Sequence, residues 1–568
     1  MRMSVAYFAI AISIAVGIPQ SANAQFASGD VVIIGYNATT PDEFRIAVLG
    51  TVGAGNAVNF TDRGWLNTGG FSSGEGTLIY TVQAGGITAG TAVNWQNNQS
   101  VNGTGWSASA PTGFSFDTAG DSLIAYTGSA ATPTLIYALR QGSAWDANAI
   151  NSNTSAEPTS TNSGTLTSGV TTIAFGSVNG YYSAPLTSGT RTLLQVAISN
   201  PTNWTTSTSN IASTNWKNSF SVGASASLFW DANATTAGTG GTGTWDASSN
   251  NLFSSSSNGT RFRWVNSSSG NDHTAVFAGI AGTVSVASSG VTASGLQFDV
   301  DGYTIQNNAI ALSGSTTPTI AVTTAGHTAT ISSQLSGTNG LAKSGAGTLV
   351  FAGNNGYSGG TTINGGALYA NNTAGSATGT GALAVNAGTL AGTGSVSGAT
   401  TINSGGTLQG GTGGSTAANK LTLTGATLNG GTLRTIVGDA SVGINPLDDR
   451  ASLLHLTGAL TKGTGTNAIS LFNDGTLNFG QSYTLTIADF TSTSFAPGTN
   501  TGEFTVVAEN FTLQSSSYVV TASTLTVTFV PAPVPEPSTV FGIAVLGLGL
   551  IGGVARGRRY FGRTLSGE

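Results

Sequence analysis

Between Leu341 and Asn372, short apolar runs alternate with Gly and Asn. Thr348-Leu349-Val350-Phe351 and Thr361-Thr362-Ile363 have the alternation of strands, and Gly353-Asn354-Asn355-Gly356 and Asn364-Gly365-Gly366 have the composition of turns. A rung this short cannot bury an apolar face alone, so it predicts neighbours stacked above and below. A small-small-Leu step recurs at Leu349, Leu368, Leu390, Leu408, Leu428 and Leu433, mostly about 18–22 residues apart. Thr361-Thr362-Ile363-Asn364 and Thr400-Thr401-Ile402-Asn403 hold the same place before their glycine turns. This periodicity predicts a right-handed parallel β-helix, or solenoid, over residues 224–438.

The flanking pattern is also β. Val31-Val32-Ile33-Ile34, Phe44 to Leu49, Val58-Asn59-Phe60, Thr77 to Thr81 and Asp121 to Tyr126 predict short strands between Gly-rich turns. They suggest a β-sandwich-like N-terminal domain over residues 25–223, with a Ser/Thr/Asn-rich crossover from Asn200 to Ser225. Leu453 to Leu456, Ala468 to Phe472, Tyr483 to Ile487 and Leu525 to Phe529 predict a less regular β cap over residues 439–530. The expected fold class is all-β.

The two ends read differently. Arg2 followed by the apolar run Val5 to Ile18 and the small residues Ala22-Asn23-Ala24 predicts a signal peptide over residues 1–24, with Gln25 as the mature start. Residues 531–568 open with a stiff Pro-rich stretch containing Val534-Pro535-Glu536-Pro537. An apolar run over residues 540–554 follows, a short candidate transmembrane helix, and then the basic cluster Arg556, Arg558 and Arg559. The arginines would hold the far end of that helix in the cytoplasm.

Composition narrows the chemistry. Of 568 residues 82 are Gly and none is Cys, which excludes disulfides, thiolate metal sites and cysteine nucleophiles. Only 7% are charged, at a mean hydropathy of +0.13, so the chain lacks the high charge and low hydropathy of disordered proteins. Net charge is −6, and four of the 17 basic residues sit in the tail, which argues against nucleic acid as a partner.

No catalytic constellation stands out, and no cofactor is expected. His273, His327 and His455 are scattered singly. Asp30, Asp42, Glu43, Asp62, Glu75 and Asp121 invite comparison with a Ca²⁺ site, but without a dense ligand loop the plainer expectation is turns and polar strand faces. Asp299-Val300-Asp301-Gly302 and Asp448-Asp449-Arg450 read as turns. A β-helix polysaccharide lyase would need acids converging with a base. The repeat region offers Lys343, Lys420, Arg434 and Arg450 as bases, and no acid from Gly302 through Gly438.

Two resemblances carry the functional expectation. Phe229-Trp230-Asp231, Thr244-Trp245-Asp246, Val276 to Gly279 and Gly295 to Phe298 lead into Lys343 to Leu349, and then into Gly353 to Ile363 and Gly366-Ala367-Leu368. This order resembles the autotransporter-associated β-strand repeat, with Gly345, Gly347, Thr348, Leu349, Gly353, Tyr357, Gly359, Gly360, Thr361 and Leu368 on its motif positions. The tail resembles a PEP-CTERM sorting signal. That resemblance implies processing near Glu536 by an exosortase, a membrane-embedded enzyme, after export through the general secretory route. No eight-stranded alternating segment is visible, so barrel-mediated export is not expected. The expectation is a secreted, non-enzymatic surface or matrix protein of a Gram-negative bacterium, in contact with exopolysaccharide or with its own copies in a biofilm. The rival is a polysaccharide-active enzyme with its site in the N-terminal domain.

Overall fold

The computed structural model describes residues 24–97, 105–109, 113–150, 154–232, 240–248, 250–255, 261–410, 420–437, 454–473 and 477–532. Two compact units divide the chain. One comprises Met1–Leu390 with Gly394–Ala399, the other Ala391–Thr393 with Thr400–Glu568.

The first unit opens with a two-sheet sandwich. One sheet runs in the order Trp204–Ser207, Asn179–Tyr182, Val31–Asn37, Glu43–Val48, Thr91–Gln96. The other runs Trp106–Ser109, Thr77–Thr81, Ala57–Thr61, Asp121–Ser129, Thr132–Gln141, Thr172–Ala174. Aromatic rings join the faces: Phe44 on one sheet meets Phe60 at 5.3 Å and Trp106 at 5.5 Å on the other. Every residue of Val31–Asn37 is buried, as its unbroken apolar run suggests.

Within the described residues of this β domain lies one α-helix that the strand pattern hid, Arg191–Ile198. Thr190 caps it by accepting from the Leu193 amide, and Leu193, Leu194, Ala197 and Ile198 are buried. A Thr followed by apolar residues at helical spacing is its sequence signal. His273 Nε2 lies 2.7 Å from the Thr190 hydroxyl, so the cap also ties the sandwich to the first coil. Burial pushes the His273 imidazole down to about 4, with the Val265 carbonyl and Asp272 opposing, so it is neutral at physiological pH.

The solenoid of the first unit has three parallel sheets. Ser225–Trp230, Asp272–Phe277, Gly295–Phe298, Thr319–Val322, Leu341–Ser344, Thr361–Ile363 and Leu383–Val385 follow one another in the first. Gly243–Trp245, Thr283–Val286, Tyr303–Asn307, Thr328–Ile331, Thr348–Phe351 and Ala367–Ala370 do so in the second, and Val291–Ala293, Ile310–Leu312 and Leu335–Ser336 in the third. The registered inward positions Leu296, Ile320, Lys343, Ile363 and Val385 recur about every 20–24 residues, close to the period read from sequence.

The first coil is protected at its free edge. Phe253–Ser254 pairs antiparallel to Ser225–Trp230, and Arg261–Phe262 pairs antiparallel beyond it. Beneath lies a plug of aromatic rings, with Trp245 4.9 Å and Phe253 4.7 Å from Trp264. Arg261 Nε bonds Asp231 Oδ2 at 2.7 Å across this end. An uncovered parallel edge would template pairing with another chain, so this lead-in acts as a cap.

In the second unit the coils continue beyond residue 438. Ala426–Asn429 pairs in parallel with Ala459–Lys462, and Thr432–Val437 with Asn467–Asn473. Leu454–Leu456 and Ala468 to Phe472 are therefore coil strands rather than cap. Among the described strands of this unit, antiparallel pairing begins where Tyr483–Asp489 meets Thr524–Ala532, which pairs on its other side with Thr512–Val520. Pro531, expected in a linker, is the penultimate residue of that strand and pairs with Leu513 beside the irregularity at Leu513/Ser515, a place where a residue without an amide proton is tolerated.

Candidate functional site

The repeat builds its interior from alternate residues. Leu341, Lys343, Leu349, Phe351, Tyr357, Ile363, Leu368 and Ala370 are all 0% exposed. Leu349 lies in register between Ala329 and Leu368, and Phe351 between Ile331 and Ala370. Asn355 stitches successive coils: its Oδ1 accepts from the Leu335 amide at 2.7 Å and its Nδ2 donates to Ala377 O at 2.6 Å. The Tyr357 hydroxyl meets Thr361 Oγ1 at 2.6 Å inside the coil.

Lys343 is the exception in this apolar column. It stands between Ile320 and Ile363, and its ammonium donates to the carbonyls of Ser344 (2.9 Å), Gly345 (3.1 Å), Gly347 (2.9 Å) and Gly365 (2.9 Å). The Gly-x-Gly turn after it makes this ring of oxygens. Gly345 adopts φ +76°, and a Cβ on Gly347 would come within 2.5 Å of Val322 Cγ1. Burial pushes the Lys343 amine down to about 8, so it remains charged at neutral pH. The sequence offered Lys343 as a candidate lyase base; the fold places it inside the coil, where no polymer reaches it.

The remaining motif glycines allow coils to approach. A Cβ on Gly359 would lie 2.2 Å from the Gly340 amide nitrogen and 2.3 Å from the Asn339 carbonyl carbon of the preceding coil. On Gly353 it would lie 2.6 Å from Ser333 O, and on Gly360 2.9 Å from Ala382 O. Backbone cannot yield as a flexible side chain does. Gly359→Ala is therefore expected to cost about 3 kcal/mol, read as a lower urea midpoint for the coil.

The acids of the N-terminal domain separate into two groups. Asp30 pairs with Arg191 at 2.5 Å, Glu43 accepts from Asn37 Nδ2 at 2.6 Å, and Asp42 accepts from the Phe116 amide at 3.1 Å. Asp62, Glu75 and Asp121 gather at one end of the second sheet. Asp62 follows Ala57–Thr61, Glu75 precedes Thr77–Thr81, and Asp121 opens Asp121–Ser129. The pairings Thr61 with Thr77 and with Ile124 bring these three ends together. Asp62 and Asp121 are 1% and 7% exposed.

Burial raises all three, to about 6 for Asp62, about 7 for Glu75 and about 8 for Asp121, and Glu75 and Asp121 are raised further by their acidic neighbours. Arg63 opposes the rise at Asp62 and Glu75. Among the described residues, no three acidic or imidazole side chains already stand at metal-ligand spacing. In cation-free buffer the folded domain binds more protons than the open chain from about pH 4 to 8, so its stability should fall as pH rises through that window. Thermal unfolding of the mature chain at stepped pH measures this.

The other polar candidates are committed to local partners. Arg434 donates hydrogen bonds from Nε and Nη2 to the Glu509 carboxylate at 2.9–3.1 Å, reaches Gln409 Oε1 at 2.6 Å and lies over the Phe472 ring at 4.3 Å. Its guanidinium holds Glu509 below the usual carboxylate range, and Ser470 adds a second hydrogen bond. His455 Nδ1 bonds Asp489 on a strand face. Asp299 accepts from Gln297 and Thr323, and Asp301 from the Thr328 amide. Lys420 immediately precedes Leu421–Leu423. Arg450, with Asp448 and Asp449, lies outside the described residues.

At the N-terminus Ala24 O accepts from the Gly53 amide at 3.0 Å, which fixes the start of the sandwich beside Gln25. Ala22, Val534, Pro535, Glu536, Pro537, Arg556, Arg558 and Arg559 lie outside the described residues, as does the expected helix over 540–554. Among the described residues, no helix is long and apolar enough to cross a membrane.

The family model for the passenger-associated-transport-repeat matches residues 341–370, the coil whose interior holds Lys343. The model for the PEP-CTERM protein-sorting motif matches residues 533–559. The chain thus carries a match to the PEP-CTERM protein-sorting motif and a match to the passenger-associated-transport-repeat. It is similar to the adhesin BmaC autotransporter of Brucella suis biovar 1 (strain 1330), 40% identical over 167 residues, which is 29% of this chain and 5% of that relative's length. The sorting motif and the passenger-type repeat support a secreted surface protein. The sorting motif implies processing by an exosortase.

Proposed function

We propose that this protein is a non-enzymatic surface or matrix stem whose coils contact exopolysaccharide or other copies of itself in a biofilm. The observation that carries the reading is the coil exterior. From residue 303 to 399 the chain has a single Lys, Arg, Asp or Glu side chain, that of Lys343, and it points inward. Outward positions in register run Thr283, Thr304, Thr330, Val350, Tyr369 on one sheet and Thr319, Ala342, Thr362, Ala384 on another. Rows of hydroxyls interrupted by Val350, Ala342 and Ala384, and without charge, suit hydrogen bonding to sugar hydroxyls. In the second unit Thr401, Thr427 and Thr461 form a like row.

The mature chain should co-sediment with exopolysaccharide prepared from its own bacterium. Binding should change by less than about twofold between 0.05 and 0.5 M NaCl, since no exposed charge is there to screen. A tenfold loss with salt would contradict the uncharged-face account. The enzymatic rival predicts that the polymer shortens on incubation. Asp62 and Asp121 are too deeply buried to meet a polymer, which supports the non-enzymatic reading.

A further inference from the structure

The second unit ends one of its sheets on an open edge. Phe504–Glu509 pairs in parallel with Asn467–Asn473 and, among the described residues, with no strand on its other side. The interior columns run straight into it. Leu408, Leu433, Ile469 and Val506 stand in register, as do Thr435, Leu471 and Ala508. Ile469 and Leu471 are fully buried, whereas Val506 and Ala508 below them are only half-buried. Val507, on the outer face, is 44% exposed.

Tyr518 closes one end of this strand. Its hydroxyl accepts from the Glu503 and Phe504 amides at 2.8 and 3.2 Å, and its ring meets Phe504 edge-on at 5.5 Å. Farther along, Val506, Val507 and Ala508 make no hydrogen bond beyond the pairing with Asn467–Asn473 among the described residues. An uncovered edge presents a row of amides and carbonyls that another extended strand satisfies, and native edges are usually blunted by Lys, Pro, a bulge or a covering element. The first coil has such a cover in Phe253–Ser254 and Arg261–Phe262. Thr505-Val506-Val507-Ala508 has no charge and no Pro, and its register is unbroken.

We propose that this edge docks a second copy of the chain, the two Phe504–Glu509 strands pairing antiparallel about a two-fold axis at Val507. The strand's own pattern selects that occupant, because a two-fold contact requires a surface complementary to itself. With the axis at Val507, Val506 meets Ala508 of the second copy on the inner face, and the two half-covered columns close on each other. Val507 meets Val507 on the outer face. Thr505 meets Glu509, so no carboxylate faces another, and like charges directly opposite are what such a pairing has to avoid. Glu509 already spends its charge on Arg434 within its own chain. The inference rests on the reading of this protein as a stem that meets its own copies, and it names the surface where they meet.

The test is sedimentation of the purified mature chain from roughly 1 to 100 µM, with hydrogen exchange at both limits. The expected result is a reversible monomer–dimer equilibrium with Kd on the order of 10⁻⁵ M, as suits a small interface. Exchange at 504–509 should slow as the dimer fills. Val507→Lys sets two ammonium groups opposite each other and should weaken the dimer at least about tenfold. Since Val507 is exposed, the variant should unfold within about 2 °C of wild type. The proposal is overturned by a single-chain mass at 100 µM, or by a Val507→Lys chain that pairs like wild type. Slow exchange at 504–509 that is independent of concentration would overturn it too, since the chain would then be covering its own edge. Co-sedimentation with exopolysaccharide reads the hydroxyl rows separately: a dimer that fails to bind polymer would sink the polysaccharide reading and support this one.

Discussion

Lys343→Ala is expected to destabilise its coil by about 4 kcal/mol. The substitution removes the ammonium that serves the carbonyls of Ser344, Gly345, Gly347 and Gly365, of which Gly347 O also accepts from the Ala367 amide at 3.2 Å, and it leaves a cavity between Ile320 and Ile363. Lys343→Met separates the two effects. It restores most of the volume but leaves the oxygens unmatched, so it should cost about 2 kcal/mol. Replacing a buried ion with an apolar residue is often harmless when its partners go too. Here the partners are backbone and stay. A stacked repeat does not unfold as one unit, so the readout is local hydrogen exchange across residues 341–370. Exchange there should accelerate about a thousandfold in the alanine variant, and an unchanged rate would show that the carbonyl ring does not need its cation.

The same lysine makes a pH prediction of defined sign. Its amine is lowered to about 8 in the fold against 10.5 in the open chain. Below pH 8 both states are protonated and contribute no slope. Between about pH 8 and 10.5 the unfolded chain binds more protons, so stability of this coil should rise with pH. Lys343→Met should flatten that rise.

The second large effect concerns sorting. Glu536→Ala combined with Pro537→Ala should lower the surface or secreted form at least about tenfold and leave an uncleaved chain in the inner membrane. Its Pro-rich sequence predicts a stiff, extended segment, and the apolar run after it would hold that segment at the membrane–water interface, within reach of a membrane-embedded processing enzyme. Leu349→Ala is the matched control. It hollows the coil, at a cost of about 3 kcal/mol, without touching the tail. Unchanged surface display of the double variant would show that the sorting motif is not what addresses the chain.

Much of the solenoid was legible because its period is local. Leu349, Ile363 and Leu368 could be set inside from alternation alone, and glycine turns marked the corners. Lys343 was legible as a position and not as a role. Alternation with Leu341 puts it inward, but a lone charge is ordinarily assigned to solvent, and the oxygens that hold it arise only when the Gly345–Gly347 turn closes beneath Gly365. The acids were legible as six candidates, but which of them meet was not. Asp62, Glu75 and Asp121 are brought together by strand pairing across tens of residues, which no local pattern reports. The helix at Arg191–Ile198 was masked by β-rich surroundings, although Thr190 is a recognisable cap. Coil strands at 454–473 were read as cap because long insertions stretch the spacing past the repeat period.

The most direct test of the account is to fractionate the producing cells and measure the intact mass of the protein in each fraction. The account predicts a chain beginning at Gln25 and ending near Pro535–Pro537, found outside the inner membrane. A chain ending at Glu568 and confined to the inner membrane would contradict it.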